Sequence, residues 1–430
     1  MPTFTKTSFN NMLKEYMPYE LLMEEVMKRD YFLNKVNKKM NWKGGEMQVP
    51  FMGGAASSIA FGQLTAQADI TEDLHVRGKV SGYKEIWGSM VFNDHDLAQH
   101  GTEQSFIKIL PNKLEMFIDS MKQAVSVNLM NGAHLASLVI GAPGENLAGG
   151  IVAVDRPARL TIGQYVEFGI VGTLRIVGYI KSITIDTKLI EIVLNKDLTG
   201  GAVDLAAAGV IAGDKIFLRG GSTATNAFTS LRSQLLSSAN GGSANLFGES
   251  KLAYPHLQAP NFSGAAITSG NILEKIFDFF NQTKTLGKGN PTDVVMSFDK
   301  LAAAMKSLDL GGAALAGGSA EAFGRGFSVT DRKVNVFGWT EITVSGVKGS
   351  LTLVGVQEMD DDIMFLVDWR GLDLHSNGFF ERRVSPEGNH FFEVRNTTGY
   401  QYIVDTRFFG ELVVYKPSHC GVIHSIPLVL

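Results

Sequence analysis

Residues 111–138 read PNKLEMFIDSMKQAVSVNLMNGAHLASL, and no other stretch limits the possible folds as tightly. Apolar residues fall at Leu114, Phe117, Ile118, Met121, Val125 and Leu129, the three-and-four spacing of one helix face. Lys113, Glu115, Asp119, Lys122, Gln123 and Ser126 take the opposite face. Pro111 suits a first helical turn, where its missing N–H has no partner to lose. At 1.5 Å per residue, such a helix spans about 40 Å. Globular helices average about 11–12 residues. One this long, polar on one side, reads as a long surface helix or as a strut on which other layers lean.

The chain around it has 430 residues, 45% of them hydrophobic, enough to build two or three domains with a sizeable core. Net charge is −4, so bulk charge carries no nucleic-acid signature. Cys420 is the single cysteine, which leaves no disulfide framework within the chain. The opening MPTFTKTSFNNMLKEYMPYELL has no apolar core of signal-peptide type. No uncharged apolar run is long enough for a membrane span, so no membrane partner is expected. Helix and strand signals are both plentiful, which places the chain in the α+β class.

Residues 1–45 read as helical and mildly basic, with Lys28, Arg29, Lys35, Lys38, Lys39 and Lys43 diluted by Glu20, Glu24, Glu25 and Asp30. They suit a solvated face, or an arm laid over a neighbour or a polyanion. Two strands follow, at residues 46–52 and at Lys79–Phe92, joined by a small, polar excursion without periodicity. Such a long hairpin is marginal alone; it is either a loose surface loop or a hairpin ordered by lying on another copy. EQSFIKIL forms a short helix that Pro111 interrupts. Short strands at Leu160–Phe168, Leu174–Ile185, Leu189–Leu194 and Lys215–Leu218, with a turn at Asp186–Lys188, suggest a small barrel or sandwich. A helix over residues 269–287 has Ser269 as cap, Ile272, Leu273, Ile276, Phe277 and Phe280 as its stripe, and Gly287 as its stop. A buried strand VVMS, a helix after Ser297 and a Gly/Ala loop at 309–326 come next. Strands dominate from Phe327 onwards, with Gln401–Val404 and Phe408–Val414 as separate strands.

No phosphate-loop, nucleophile-elbow or zinc-helix motif occurs in the sequence. Asp360, Asp361 and Asp362 carry the residue type of a hard-cation site, but between two strands they read as an exposed turn. His419, Cys420 and His424 lack a fourth ligand and zinc spacing. No catalytic, cofactor or metal residue is therefore singled out. A basic arm, a long hairpin and a Gly/Ala loop bury little by themselves, and that combination favours self-assembly.

The order of these elements resembles the major capsid proteins of tailed bacteriophages, which share the Hong Kong 97-like fold. Phrases that carry the resemblance are FIKILPNKLEMFIDSMKQAV, the pair GQYVEF and AGDKIFLRG, and the closing DTRFFGELVVYKPSHCGVIHSI. The resemblance implies an N-terminal arm (1–45) and an extended loop (46–99). It implies a peripheral domain with its spine helix (100–150 and 337–430), a small inserted β-domain (151–221) and an axial domain (222–336). It further implies hexamers and pentamers around double-stranded genomic DNA held non-specifically, a portal, and decoration proteins on some shells. Because the sequence starts directly with the arm, a separate scaffolding protein is expected. The location implied is the virion capsid, assembled in the host cytoplasm. Candidate subunit-interface residues are Arg77, Lys79, Tyr83, Trp87, Lys113 and Lys122. The alternatives are an encapsulin-like nanocompartment shell, and a soluble enzyme with a β insertion.

Overall fold

The computed structural model describes residues 10–11, 13–14, 19–42, 45–53, 74–82, 84–93, 103–223, 226–287, 289–313, 328–334, 339–346, 349–396 and 399–427. The helices among them are α1 (Tyr19–Arg29), α2 (Tyr31–Lys35), α3 (Glu103–Met130), α4 (Leu231–Leu235), α5 (Ile272–Gly287) and α6 (Phe298–Ala313). The first strands are β1 (Asn37–Lys39), β2 (Glu46–Gly53), β3 (Leu74–Ser81), β4 (Lys84–Asn93), β5 (His134–Ser137) and β6 (Ile151–Ala153). Then come β7 (Tyr165–Ile170), β8 (Thr173–Thr184), β9 (Leu189–Val193), β10 (Lys215–Phe217), β11 (Asn245–Leu246) and β12 (Glu249–Ser250). The last are β13 (Asn261–Ser263), β14 (Asp293–Met296), β15 (Ser328–Val334), β16 (Trp339–Gly346), β17 (Gly349–Val356), β18 (Ile363–Val367), β19 (Leu372–His375), β20 (Phe380–Arg382), β21 (Phe392–Asn396), β22 (Gly399–Val414) and β23 (Gly421–His424). The chain is α+β, as its mixed signals require.

Residues 1–26, 84–228 and 379–409 form one compact unit. Its helix α3 buries Phe117, Ile118, Met121, Val125 and Leu129, as the spacing demands. Its bounds differ from those expected. It starts at Glu103, so EQSFIKIL and the long helix are one element with Pro111 inside it. An interior proline removes one backbone bond and crowds the preceding turn, but here helical sequence continues on both sides of it. The helix stops at Met130, where the Asn131 and Gly132 amides donate to the Val127 and Asn128 carbonyls at 2.8 and 3.2 Å. Gly132 takes φ 109°, the positive φ that favours glycine past a helix end. Residues 134–137, expected as helix, are strand β5. Ser126, assigned to the polar face, is buried because the last turns of α3 are enclosed on all sides.

The expected small β-domain is a closed barrel of strand order β5-β10-β7-β8-β9-β6. Its ends meet where Leu138 pairs with Val154 and the Asp155 amide donates to the Ser137 carbonyl at 3.0 Å. Val152, Val166, Phe168, Ile180, Ile190, Ile192 and Ile216 fill it. Its first strand follows directly from α3, ahead of residue 151. The strand expected from Leu160 begins only at Tyr165, after a 3-10 turn at Pro157–Arg159. The same unit holds residues 399–409 of β22, which pair with β20 and β21. Strand β4 also pairs with β22.

Residues 27–83, 229–378 and 410–430 form the second unit. A mixed seven-stranded sheet, β13-β23-β18-β14-β17-β16-β15, carries α5 and α6 on its hydrophobic core. Ile272, Leu273, Ile276, Phe277 and Phe280 are all buried there, as expected. Ser269 is not the cap: α5 starts at Ile272, with the Lys275 amide donating to the Asn271 carbonyl at 3.0 Å. Gly287 is required by a neighbour rather than by helix termination, since a Cβ there would lie 1.6 Å from the Ser418 carbonyl oxygen. Helix α6 runs on to Ala313, into the expected Gly/Ala loop, whose remainder lies outside the described residues. The two strands expected at 401–404 and 408–414 are one 16-residue strand, β22.

Two more expectations change. The strand expected at Lys79–Phe92 is two strands, broken at Gly82 (φ 76°). The hairpin partner of β2 is β3, which already begins at Leu74. Residues 30–42, expected within a free arm, are built into the chain's own fold. Tyr31, Phe32, Leu33 and Trp42 are buried, and β1 pairs in parallel with β19. Their apolar side chains gain more by joining this core than by staying in solvent.

Candidate assembly surfaces

The hairpin in the second unit alternates strictly. Val76, Gly78 and Val80 face inward, and Arg77 and Lys79 face outward. Val49, Phe51, Val76 and Val80 pack with Trp42, Leu246, Leu257 and Val413 into a separate core. The hairpin base therefore has in-chain support, contrary to its reading as an element without a core. Phe247 is central to that support. It holds φ 49°, stacks on Phe51 at 6.3 Å and accepts the Lys79 amide at 2.8 Å. Gly78 lets this happen, because a Cβ there would lie 2.6 Å from the Phe51 ring. Lys79 pairs with Glu46 at 2.8 Å, both more than half exposed. Arg77 is exposed on the same face. Tyr83 lies outside the described residues, as do 54–73.

A buried polar network ties residues 30–42 to this unit. Tyr31 donates to Asp293 at 3.0 Å, and the Trp369 indole donates to the same carboxylate at 2.8 Å. Burial, then the Asp293 charge, drives the Tyr31 hydroxyl pKa strongly upward. Asn37 and Lys39 both reach Asp373, at 2.8 and 2.6 Å. His375 lies 2.8 Å from Asn41 Oδ1 and 2.7 Å from the Tyr415 hydroxyl. Burial lowers the His375 pKa and pushes Tyr415 up to about 12.

The three aspartates, read as an exposed turn, are instead held by partners. Arg232 bridges Asp360 at 3.0 Å and Asp362 at 2.7 Å, and the Ser297 hydroxyl donates to Asp361. Burial alone would lower the Arg232 pKa; the two carboxylates outweigh it and raise it. Cys420 is fully buried, and its thiol is pushed up to about 12 by burial. Both arrangements are structural. Neither was legible in sequence, because Arg232 and Ser297 lie far from residues 360–362.

The first unit presents Trp87, Lys113 and Lys122. Gly88 brings β4 onto α3, since a Cβ there would lie 2.4 Å from Met121 Sδ and 2.8 Å from the Phe117 ring. Lys113 Nζ donates to the Val91 carbonyl at 3.3 Å and sits 4.9 Å from the Phe92 ring centroid. Lys122 is half-buried on the same helix. Trp87 is 48% exposed. Its indole donates to Glu85 at 3.0 Å, and the Arg407 guanidinium lies 5.5 Å from its ring. Arg407 also bonds Glu85 and Glu381. Arg407 and Glu381 were not singled out from sequence, because only the β4–β22–β20 pairing brings them to Trp87. A cleft of about 490 Å³ opens beside this array, walled by Trp87, Val91, Met116 and Ile162. Among the described residues, no group of three metal-ligating side chains occurs.

No family model matches the chain, and no curated protein matches it. Solved structures do resemble it over nearly its whole length. A capsid subunit of cyanophage A-1(L) is 12% identical, covers 91% of each chain and superposes at a TM-score of 0.42. An encapsulin complex from Synechococcus elongatus gives 8% identity, 94% and 90% coverage, and 0.40. The capsid of Myoviridae phage XM1 gives 9%, 92% and 91%, and 0.37.

Proposed function

We propose that the chain is the subunit of a self-assembling icosahedral shell of Hong Kong 97-like design, the major capsid protein of a tailed bacteriophage. The observation that carries this reading is the succession of elements. An anchored hairpin precedes a 28-residue helix, a barrel follows the helix, and a 16-residue strand returns near the end of the chain. The same succession carries the sequence resemblance. In this reading the hairpin built on β2 and β3 belongs to the extended loop that lies on a neighbouring copy, α3 is the spine, and the barrel is the inserted domain. The mapped boundaries are the arm at 1–45, the extended loop at 46–99, the peripheral domain at 100–150 and 337–430, the insertion at 151–221 and the axial domain at 222–336. The role is structural rather than catalytic. Arg77, Lys79, Tyr83, Trp87, Lys113 and Lys122 are interface residues. Copies of the chain are the principal partner, with non-specific DNA inside and scaffolding, portal and decoration proteins in addition.

Electron microscopy of the purified chain tests this. Closed particles, or rings of five and six, are expected; a dispersed monomer overturns the reading. Particles filled with one protein rather than nucleic acid, after expression in the native host, would turn it to a nanocompartment.

A further inference from the structure

Residues 37–42 are held to their own unit by little backbone. Strand β1 has three residues and pairs in parallel with β19. Two further bonds follow: the Ser376 amide donates to the Lys39 carbonyl at 3.0 Å, and the Trp42 amide to the Ser376 carbonyl at 3.4 Å. Side chains supply the rest. The pairing sets Lys39 beside His375 and Asn37 beside Asp373 on one face of the sheet. Trp42, at the end of the segment, packs with Val49, Phe51, Val76 and Val80 of the hairpin. Whatever fixes residues 37–42 therefore also fixes the hairpin base.

Those side chains converge on His375, which is 1% exposed. Its Nδ1 lies 2.8 Å from Asn41 Oδ1, an atom that can only accept, so the ring proton sits on Nδ1. Its Nε2 lies 2.7 Å from the Tyr415 hydroxyl. Burial pushes that hydroxyl up to about 12, so it stays protonated and donates to Nε2. The neutral ring thus engages both nitrogens. A second proton, on Nε2, would face the Tyr415 hydrogen and force that bond to reverse. The charged groups around the ring are Lys39 on β1, Asp373 on β19 and Glu411, the register partner of His375 on β22. Asp373 lies 4.0 Å from Nε2 but already binds Lys39 at 2.6 Å. Glu411 accepts the Thr229 amide at 2.7 Å. An imidazolium would either sit beside Lys39 in a buried place or draw Asp373 away from it. Each outcome weakens the hold of β19 on residues 37–42.

We propose that His375 is an acid-sensitive latch: while neutral it closes residues 37–42 onto β19, and its protonation releases them together with the hairpin base. Burial lowers the His375 pKa from 6.5; Asp373 opposes that shift and Lys39 adds to it. The contact is therefore fully stable above 6.5 and weakens as pH falls below it, where the unfolded segment binds the proton more readily. The latch stands on this chain alone; its consequence for assembly rests on the shell reading.

Hydrogen exchange of the full chain tests this, read on the peptide covering 37–42 and corrected for the intrinsic pH dependence of amide exchange. Between about pH 7.5 and about pH 5.5, a span that crosses the ordinary histidine range, the corrected rate should rise roughly tenfold, with α5 unchanged. His375→Gln, whose amide can still donate and accept, should remove the rise. Asn41→Asp puts a carboxylate at Nδ1, stabilises the closed imidazolium and should move the rise to lower pH; it decides the matter if the glutamine variant fails to fold. No rise in the unmodified chain, the same rise in His375→Gln, an unshifted rise in Asn41→Asp, or an equal rise in α5 would each overturn the latch. Particles that stay intact while 37–42 opens would overturn the link to assembly and leave the latch standing. If no particles form at any pH, the shell reading fails, and the exchange rates still decide the latch.

Discussion

Single residues hold this fold through contacts that are remote in sequence. Gly287→Ala forces a methyl group into the Ser418 carbonyl. It should cost about 1–3 kcal/mol, the usual range for overpacking, read as a lowered urea midpoint. Gly45→Ala, with nothing within 4 Å, is the control and should change little. Lys251 is a second case. Its ammonium donates to the Ser233 and Leu236 carbonyls at 2.8 and 2.9 Å, and burial lowers its pKa from 10.5 to about 8. Between those values the unfolded chain binds more protons than the folded one. Stability should therefore rise with pH across that window, by up to about 3 kcal/mol. Lys251→Met should abolish the rise in a pH series of denaturation curves; an unchanged slope would contradict the assignment. Arg232→Met leaves Asp360 and Asp362 without their bridge. Since Asp362 is partly exposed, the expected loss is roughly 2–3 kcal/mol, below that of fully buried pairs.

At the scale of elements, β2 and β3 give the hairpin an anchored base. Deleting 57–78 removes Val76 and Gly78 from the core around Trp42 and Phe51. That variant should lose cooperative unfolding by circular dichroism. Replacing only 56–71 with a short Gly-Ser turn should keep the fold and abolish assembly. Normal particles from the shorter deletion would contradict the overlap role. The two deletions also show what the sequence hides. Period-three-and-four spacing exposed α3 and α5, and alternation exposed most strands, because burial on one face writes its period into the residues. The inward face of β3 includes Gly78, whose lack of a side chain broke the alternation and concealed the strand. Pro111 suggested a boundary, because a lost backbone bond is visible in sequence whereas the continuing helix around it is not. Asp360–Asp362 looked solvent-exposed for want of any sign that Arg232 would cover them. The Trp87–Arg407 array depends on strand pairing across some three hundred residues, which no local pattern encodes.

At the scale of the whole molecule, two compact units each have their own core. Residues 30–42 are not spare chain, since their aromatic side chains and the Asp293, Asp373 and His375 bonds fix them to the second unit. Lys79, a proposed interface residue, is exposed and paired with Glu46, so on the shell reading salt should alter assembly rate more than subunit stability. The most direct measurement is sedimentation velocity of the purified full chain at increasing concentration. A shell subunit predicts a sharp conversion from a slow species to closed particles of hundreds of copies, or at least to rings of five or six. A single species near 46.6 kDa at every concentration would contradict it.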